Sequence, residues 1–182
     1  MSSTFLGCSY DNDPNYHLIG NLCVYFEAQK MATSSARTNC AGKFGNDHGR
    51  LFEPKSLTTY QSVYDVVKPL EHQTNYIGVD DLNSEGNYVY SSNGGAISFT
   101  LPWRSGDPDG GSIPDQDCIG IGWNNQDGWV DLPCTYQAAS ICERVPHGMC
   151  YSHFGNEVRN GPMSIMQPGF INDCYKVNPV GQ

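Results

Sequence analysis

Asp107, Asp109, Asp115, Asp117, Asp127 and Asp131 fall within residues 103–142, a stretch that also holds Trp103, Trp129, Cys118, Cys134, Cys142 and several glycines, with only short apolar runs. Such material is poor at building a core and suited to building a site. Carboxylates drawn together by a compact fold repel one another, and desolvating several at once is costly unless a cation or a proton is shared among them. A hard cation such as Ca²⁺ takes about six to eight oxygens from carboxylates, amide and backbone carbonyls and water, and this stretch offers that chemistry. The alternative is that the aspartates stand singly on a solvated surface, where Asp and Gly are ordinary turn formers. The cysteines framing the stretch favour the site.

The chain of 182 residues is long enough for one domain with a core, or one domain and an appendage. Its 10 Lys and Arg against 19 Asp and Glu give a formal charge of -9. That balance disfavours nucleic acid and anionic membranes, since both need basic surface, and no segment approaches the length of a membrane span. Eight cysteines, an even number, among 20 Gly and 11 Pro predict an oxidising compartment and a disulfide framework, so a secreted, extracellular protein is expected. Residues 1–10 carry neither a basic n-region nor an apolar h-region and are read as the start of a trimmed mature chain.

The elements that must position the acidic stretch can be read in order. Residues 8–23 hold Asp11, Asp13 and Asn15, like the opening of an EF-hand loop, but His17 stands where that loop needs glycine, so a hairpin is expected instead. Residues 23–28 alternate like a strand, and 31–45 read as a helix ending at Gly42 or Gly45, with Cys40 inward. A short strand over 51–54 precedes a second helix over 56–70, with Ser56 as N-cap, Val63, Val66 and Val67 on the apolar face and Pro69 as the stop. Residues 75–81 read as a strand and 82–95 as hairpin-like, rich in turn formers. Both helices come early; strands and loops follow.

In that order the chain resembles the C-type lectin-like domain over roughly residues 8–143. The carriers are Tyr76-Ile77-Gly78-Val79, the acidic turn from Asp81 to Glu85-Gly86, Asp107-Pro108-Asp109, Cys118, Trp129-Val130-Asp131, Cys134 and Ile141-Cys142-Glu143. The resemblance implies an α+β fold with two helices flanking antiparallel sheets, a long calcium-site loop and a domain over 1–143. Residues 144–182 would form an extension on or beside it. It also implies disulfides Cys40–Cys142 and Cys118–Cys134, with Cys8–Cys23 closing the N-terminal hairpin of the family's long form. Cys150 and Cys174 remain; His147, Cys150, His153 and Cys174 could be read as a zinc site, but in an oxidised chain Cys150–Cys174 is expected to be a disulfide.

Carried over by position, Asp107, Asp109 and Asp131 would hold calcium and sugar, with Asp115 or Gln116 at the place of the glutamate before the cysteine. Asp81, Glu85 and Asp117 match an auxiliary calcium site. The proline of the triplet is cis in the family, which aims its neighbours at one ion. Trp103 and Trp129 would pack beneath the loop and Trp123 would present a visible ring. The sequence departs from the family at Val130, which cannot coordinate, at neutral Gln116, at the short Asp107 and at Gly110.

The function implied is that of a secreted Ca²⁺-dependent carbohydrate-binding protein, whose partner is a glycan or glycoprotein, with galactose-type slightly favoured over mannose-type through Asp109. Oligomers are compatible with this reading. The alternative is a lectin-like domain without sugar binding that recognises a protein or mineral surface, favoured by Val130 and the acidic charge. An enzyme is not expected: the five histidines lack a recognisable nucleophile motif, and no Gly-X-Ser-X-Gly or phosphate-binding glycine loop occurs.

Overall fold

The computed structural model describes residues 13–20, 22–44, 49–68, 73–110, 115–123 and 126–144, together with the backbone of 150–151 and 158–159. Strands β1 (Tyr16–Ile19), β2 (Leu22–Met31), β3 (Arg50–Leu51), β4 (Asn75–Asp80), β5 (Val89–Tyr90), β6 (Cys118–Trp123), β7 (Gln126–Leu132) and β8 (Ala138–Arg144) form one sheet. Its path runs β1-β2-β8-β4-β6-β7, with β3 beside β8 and β5 beside β4. A separate pair, β9 (Cys150–Tyr151) and β10 (Val158–Arg159), lies in the C-terminal region.

Side-chain alternation explains why this sheet is buried on both faces. On one face, Leu22, Val24 and Phe26 of β2, Ile77 and Val79 of β4, Ile119 and Ile121 of β6, Trp129 of β7 and Ile141 of β8 join a single apolar cluster. Their alternate neighbours Cys23, Tyr25, Tyr76, Cys118, Val130, Leu132 and Cys142 build a second cluster on the other face. Strands covered on both sides read as near-continuous apolar runs, and β4 is buried at every position.

Each helix covers one face. Helix α2 (Leu57–Val67) gives Tyr60, Val63, Tyr64 and Val67 to the first cluster, with Val66 packed at its margin. Ser56 caps it as expected, accepting from the Thr59 amide at 3.0 Å. Pro69 lies outside the described residues. Helix α1 (Thr33–Lys43) is shorter than the expected 31–45 and starts without a side-chain cap; it gives Ala36 and Cys40 to the second cluster. The segment after β5 lays Ile97, Phe99, Leu101 and Trp103 on the first cluster.

The fold class is as expected, and two of its details are sharpened by the structure. The sheet is mixed: β8 lies between β2 and β4 and runs parallel to β4, with Asn75 opposite Ala139 and Tyr76 opposite Ser140. The strand expected over 51–54 is β3, limited to Arg50–Leu51; Phe52 follows it as a link between two strands, donating its amide to the Ile141 carbonyl of β8 at 2.8 Å and receiving the Gly78 amide of β4 at 2.7 Å. Gly78 is needed there; a Cβ would come within 2.7 Å of the Glu53 side chain and 2.8 Å of the Leu51 carbonyl.

Disulfides Cys40–Cys142 and Cys118–Cys134 are present, each with Cα atoms 5.1 Å apart. The first ties α1 to β8, the second braces the start of β6 against the segment after β7. Cys23 is also disulfide-bonded. Cys8, Cys174, His147 and His153 lie outside the described residues, and of Cys150 only the backbone is described.

Candidate functional site

The acidic loop is strapped to the end of β7 before it reaches its first carboxylate. Trp129 donates its amide to the Pro102 carbonyl at 2.8 Å, and its own carbonyl receives the Arg104 amide at 2.9 Å. Gly128, at φ +113, permits this approach, since a Cβ would lie 2.6 Å from the Arg104 nitrogen. The Trp103 ring meets buried Trp129 edge-on at 6.1 Å and Tyr88 at 4.8 Å, so both loop tryptophans lie beneath the site. A turn then closes from Arg104 to Asp107, whose amide donates to the Arg104 carbonyl at 3.1 Å, with Gly106 at φ +100 inside it.

The Asp107–Pro108 peptide is cis. The aspartates on either side of Pro108 meet Asp131 of β7, and one carboxylate oxygen from each of Asp107, Asp109 and Asp131 lies within 4.8 Å of the others. Asp131 is buried and held by two backbone donors, the Asp109 amide at 3.1 Å and the Gly110 amide at 2.5 Å. Gly110 must be glycine for that second bond, because a Cβ would stand 2.8 Å from the Asp131 carboxylate. Burial first, and then the charge of Asp109, pushes the Asp131 carboxyl above its ordinary range, against the lowering effect of the two amides.

Gln116 completes the group. With its amide nitrogen toward the cluster it donates to Asp109 Oδ1 at 2.7 Å and to the Asp131 carbonyl at 3.1 Å. A half-turn of the amide presents Oε1 to the same point, where a cation would be met by four side chains bearing oxygen. Asp115 is exposed, with φ +71, and stands outside the three-carboxylate group, whereas the Gln116 amide reaches it.

Asp107 carries the strongest sign of an unmet partner. Its side chain is 1% exposed; Oδ2 receives Arg104 Nε at 2.5 Å, while Oδ1 is buried without a hydrogen-bond donor. A buried, unpaired carboxylate oxygen costs free energy. An all-oxygen donor set with one oxygen unsatisfied fits a hard cation such as Ca²⁺. Arg104, whose guanidinium also reaches Gln126 Oε1 at 3.3 Å, is the member of this group that sequence reasoning missed. Its pairing depends on the turn and on Gly128, and only the i,i+3 spacing to Asp107 hinted at it.

The expected auxiliary set of Asp81, Glu85 and Asp117 is linked by a backbone contact and by charge, and among the described residues its carboxylates do not converge as those of Asp107, Asp109 and Asp131 do. The Asp81 amide donates to the Asp117 carbonyl at 3.1 Å, and the charges of Glu85 and Asp117 add to burial in raising the Asp81 carboxyl above its ordinary range. Gly86 donates to Asp81 Oδ2 at 2.7 Å. Tyr88 feels carboxylates of both sets: its phenol is raised by burial and then by the charges of Asp81, Asp131 and Glu85. Trp123 is half-buried, tilted against the exposed Tyr136 at 5.5 Å. Val130 lies in the second cluster, away from the carboxylates.

A lectin C-type domain profile matches residues 29–144, more than half the chain. The protein therefore belongs to the C-type lectin-like domain family, whose members are binding proteins and not enzymes. Collectin-11 of Danio rerio is 28% identical over 108 residues, covering 59% of this chain and 37% of that relative. The chain spans about a third to a half of the length of the first curated relatives it matches. The mouse scavenger receptor C-type lectin carbohydrate-recognition domain superposes with a TM-score of 0.60 at 24% identity, over 74% of this chain and 96% of that one. A calcium-independent type II antifreeze protein superposes with a TM-score of 0.58 at 25% identity, over 73% and 93%. Relatives of this fold thus include a carbohydrate-recognition domain and a protein described as independent of calcium.

Proposed function

We propose that this domain is a secreted, Ca²⁺-dependent carbohydrate-binding module whose site is the cluster of Asp107, Asp109, Gln116 and Asp131. The observation that supports it most is the buried, unpartnered Oδ1 of Asp107 beside two further carboxylates. Calcium held there would supply open coordination positions for two neighbouring hydroxyls of a sugar. The chain's own part is to fix the oxygens: the Asp109 and Gly110 amides orient Asp131, and Gln116 bridges Asp109 to the Asp131 backbone. Carboxylate oxygens accept hydroxyl hydrogens, so acceptors at fixed positions select among sugars by hydroxyl geometry. The order Asp107-Pro108-Asp109 favours a galactose-type over a mannose-type ligand.

Calorimetric titration of calcium into chelator-stripped protein tests this, with Asp109→Ala and Asp131→Ala alongside. Micromolar to millimolar binding by the wild type, weakened at least ~10-fold in both variants as expected for loss of a carboxylate ligand, followed by chelator-sensitive binding on a glycan array, is the expected result. Normal calcium binding by both variants removes the ion from this loop.

A second reading is supported by Arg104, which already neutralises Asp107, and by the calcium-independent relative of the same fold. In it the domain recognises a protein or mineral surface without sugar. A blank glycan array in calcium, with saturable binding to such a surface, would favour it.

A further inference from the structure

We propose that Arg104 is a resident counter-ion of the acidic cluster, competing with calcium for Asp107, so that the loop keeps its shape without metal and binds metal more weakly than its carboxylates alone would. This rests on the reading that the cluster holds calcium. Arg104 is fixed by its backbone and its side chain together. Its amide is bound to the Trp129 carbonyl, its carbonyl receives the Asp107 amide, and Gly128 leaves it room against β7. Its side chain is only 21% exposed; the guanidinium spans from Asp107 Oδ2 to Gln126 Oε1 and feels the charges of Asp109 and Asp131 as well as Asp107.

Two consequences follow from that placement. In the absence of metal, one of three crowded carboxylates is already neutralised, and the repulsion that would open the loop is reduced. On metal binding, a guanidinium one carboxylate away from a divalent ion opposes it. At a separation on the order of 6 Å, even water-like screening makes this worth about tenfold in affinity. Orientation of Asp107 survives loss of the side chain, because the Arg104-to-Asp107 turn is a backbone contact and Asp107 is packed at 1% exposure. Arg104 also occupies Oδ2 with its Nε–H, leaving Oδ1 as the unpaired oxygen of Asp107 that would face the ion.

The experiment titrates calcium into the chelator-stripped full chain by calorimetry and records thermal unfolding in chelator and in calcium, for wild type, Arg104→Gln and Arg104→Lys. Gln keeps one donor and removes the charge; Lys keeps the charge and removes the fork. The expected result is calcium affinity about tenfold higher in Arg104→Gln, near wild type in Arg104→Lys, and a lower midpoint for Arg104→Gln in chelator that calcium restores. Wild-type binding with equal or weaker affinity in Arg104→Gln overturns the competition and leaves the calcium reading standing. An equal gain in both variants also overturns it, because charge would not be the cause. If none of the three binds calcium, the calcium reading itself fails.

Discussion

Val130 stands one residue before Asp131, and strand alternation sends the two side chains to opposite faces of β7. Asp131 reaches the loop carboxylates, while Val130, 3% exposed, packs with Cys118 and Leu132 in the second cluster. By sequence Val130 stands where the family's asparagine supplies a ligand; in the structure it is a core residue, and the amide that reaches the loop carboxylates is that of Gln116. Restoring asparagine at 130 is therefore not a repair. Val130→Asn should destabilise the domain by roughly 3 kcal/mol, from lost apolar burial and an amide left without partners, and should leave calcium affinity no tighter. Urea unfolding with calcium titration checks this; a stable variant with improved calcium binding would show that position 130 faces the ion. The order of acidic motifs made the cluster legible in sequence. Arg104 and the choice of Gln116 over Asp115 were not, because both depend on backbone direction at Gly106, Gly128 and Asp115.

At the scale of elements, the alternation of β2, the Ser56 cap of α2 and the buried run of β4 were readable because each is a local signal. The parallel pairing of β4 with β8 was not, since the partners lie far apart in sequence and nothing local specifies direction. The short β3 makes the same point: its role is fixed by charge across the sheet. Arg50 Nε reaches Glu143 Oε1 of β8 at 2.9 Å, and Lys55 Nζ reaches Glu53 at 3.0 Å. Glu53 and Glu143 are each 1% exposed, and Glu143 Oε2 is buried without a donor. Burial first, and the charge of Glu53 with it, raises the Glu143 carboxyl above its ordinary range despite Arg50. Because the folded chain then binds that proton more tightly than the unfolded chain, the contribution of Glu143 to stability is greatest below the ordinary carboxylate range and is lost as pH rises through the raised folded value. Glu143→Gln keeps an acceptor for Arg50 and removes the titration. Its unfolding free energy should decline less than that of wild type between acid and neutral pH, as read from urea melts across that span; parallel profiles would show that Glu143 does not carry the slope.

For the whole molecule, the two described disulfides divide the work between holding the fold and holding the site. Cys40–Cys142 closes a separation of 102 residues and joins the first helix to the central strand β8, whereas Cys118–Cys134 closes 16 residues around the acidic cluster. In the loop-entropy account the wide closure contributes about 4.7 kcal/mol and the narrow one about 3 kcal/mol, against a total stability of roughly 5–15 kcal/mol for an ordinary domain. Replacing Cys40 and Cys142 together by alanine should therefore bring the domain close to unfolding at physiological temperature. Replacing Cys118 and Cys134 should leave a cooperative fold with a lower midpoint. The narrow bridge joins the residues after Gln116 and Asp117 to those after Asp131, so its loss should weaken calcium binding more than it weakens the fold. Thermal melts and calcium titrations of the two double variants separate these effects. If the narrow pair proved the costlier to remove, the acidic loop would be a structural keystone of the domain, and the assignment of Cys118–Cys134 to the site would fall.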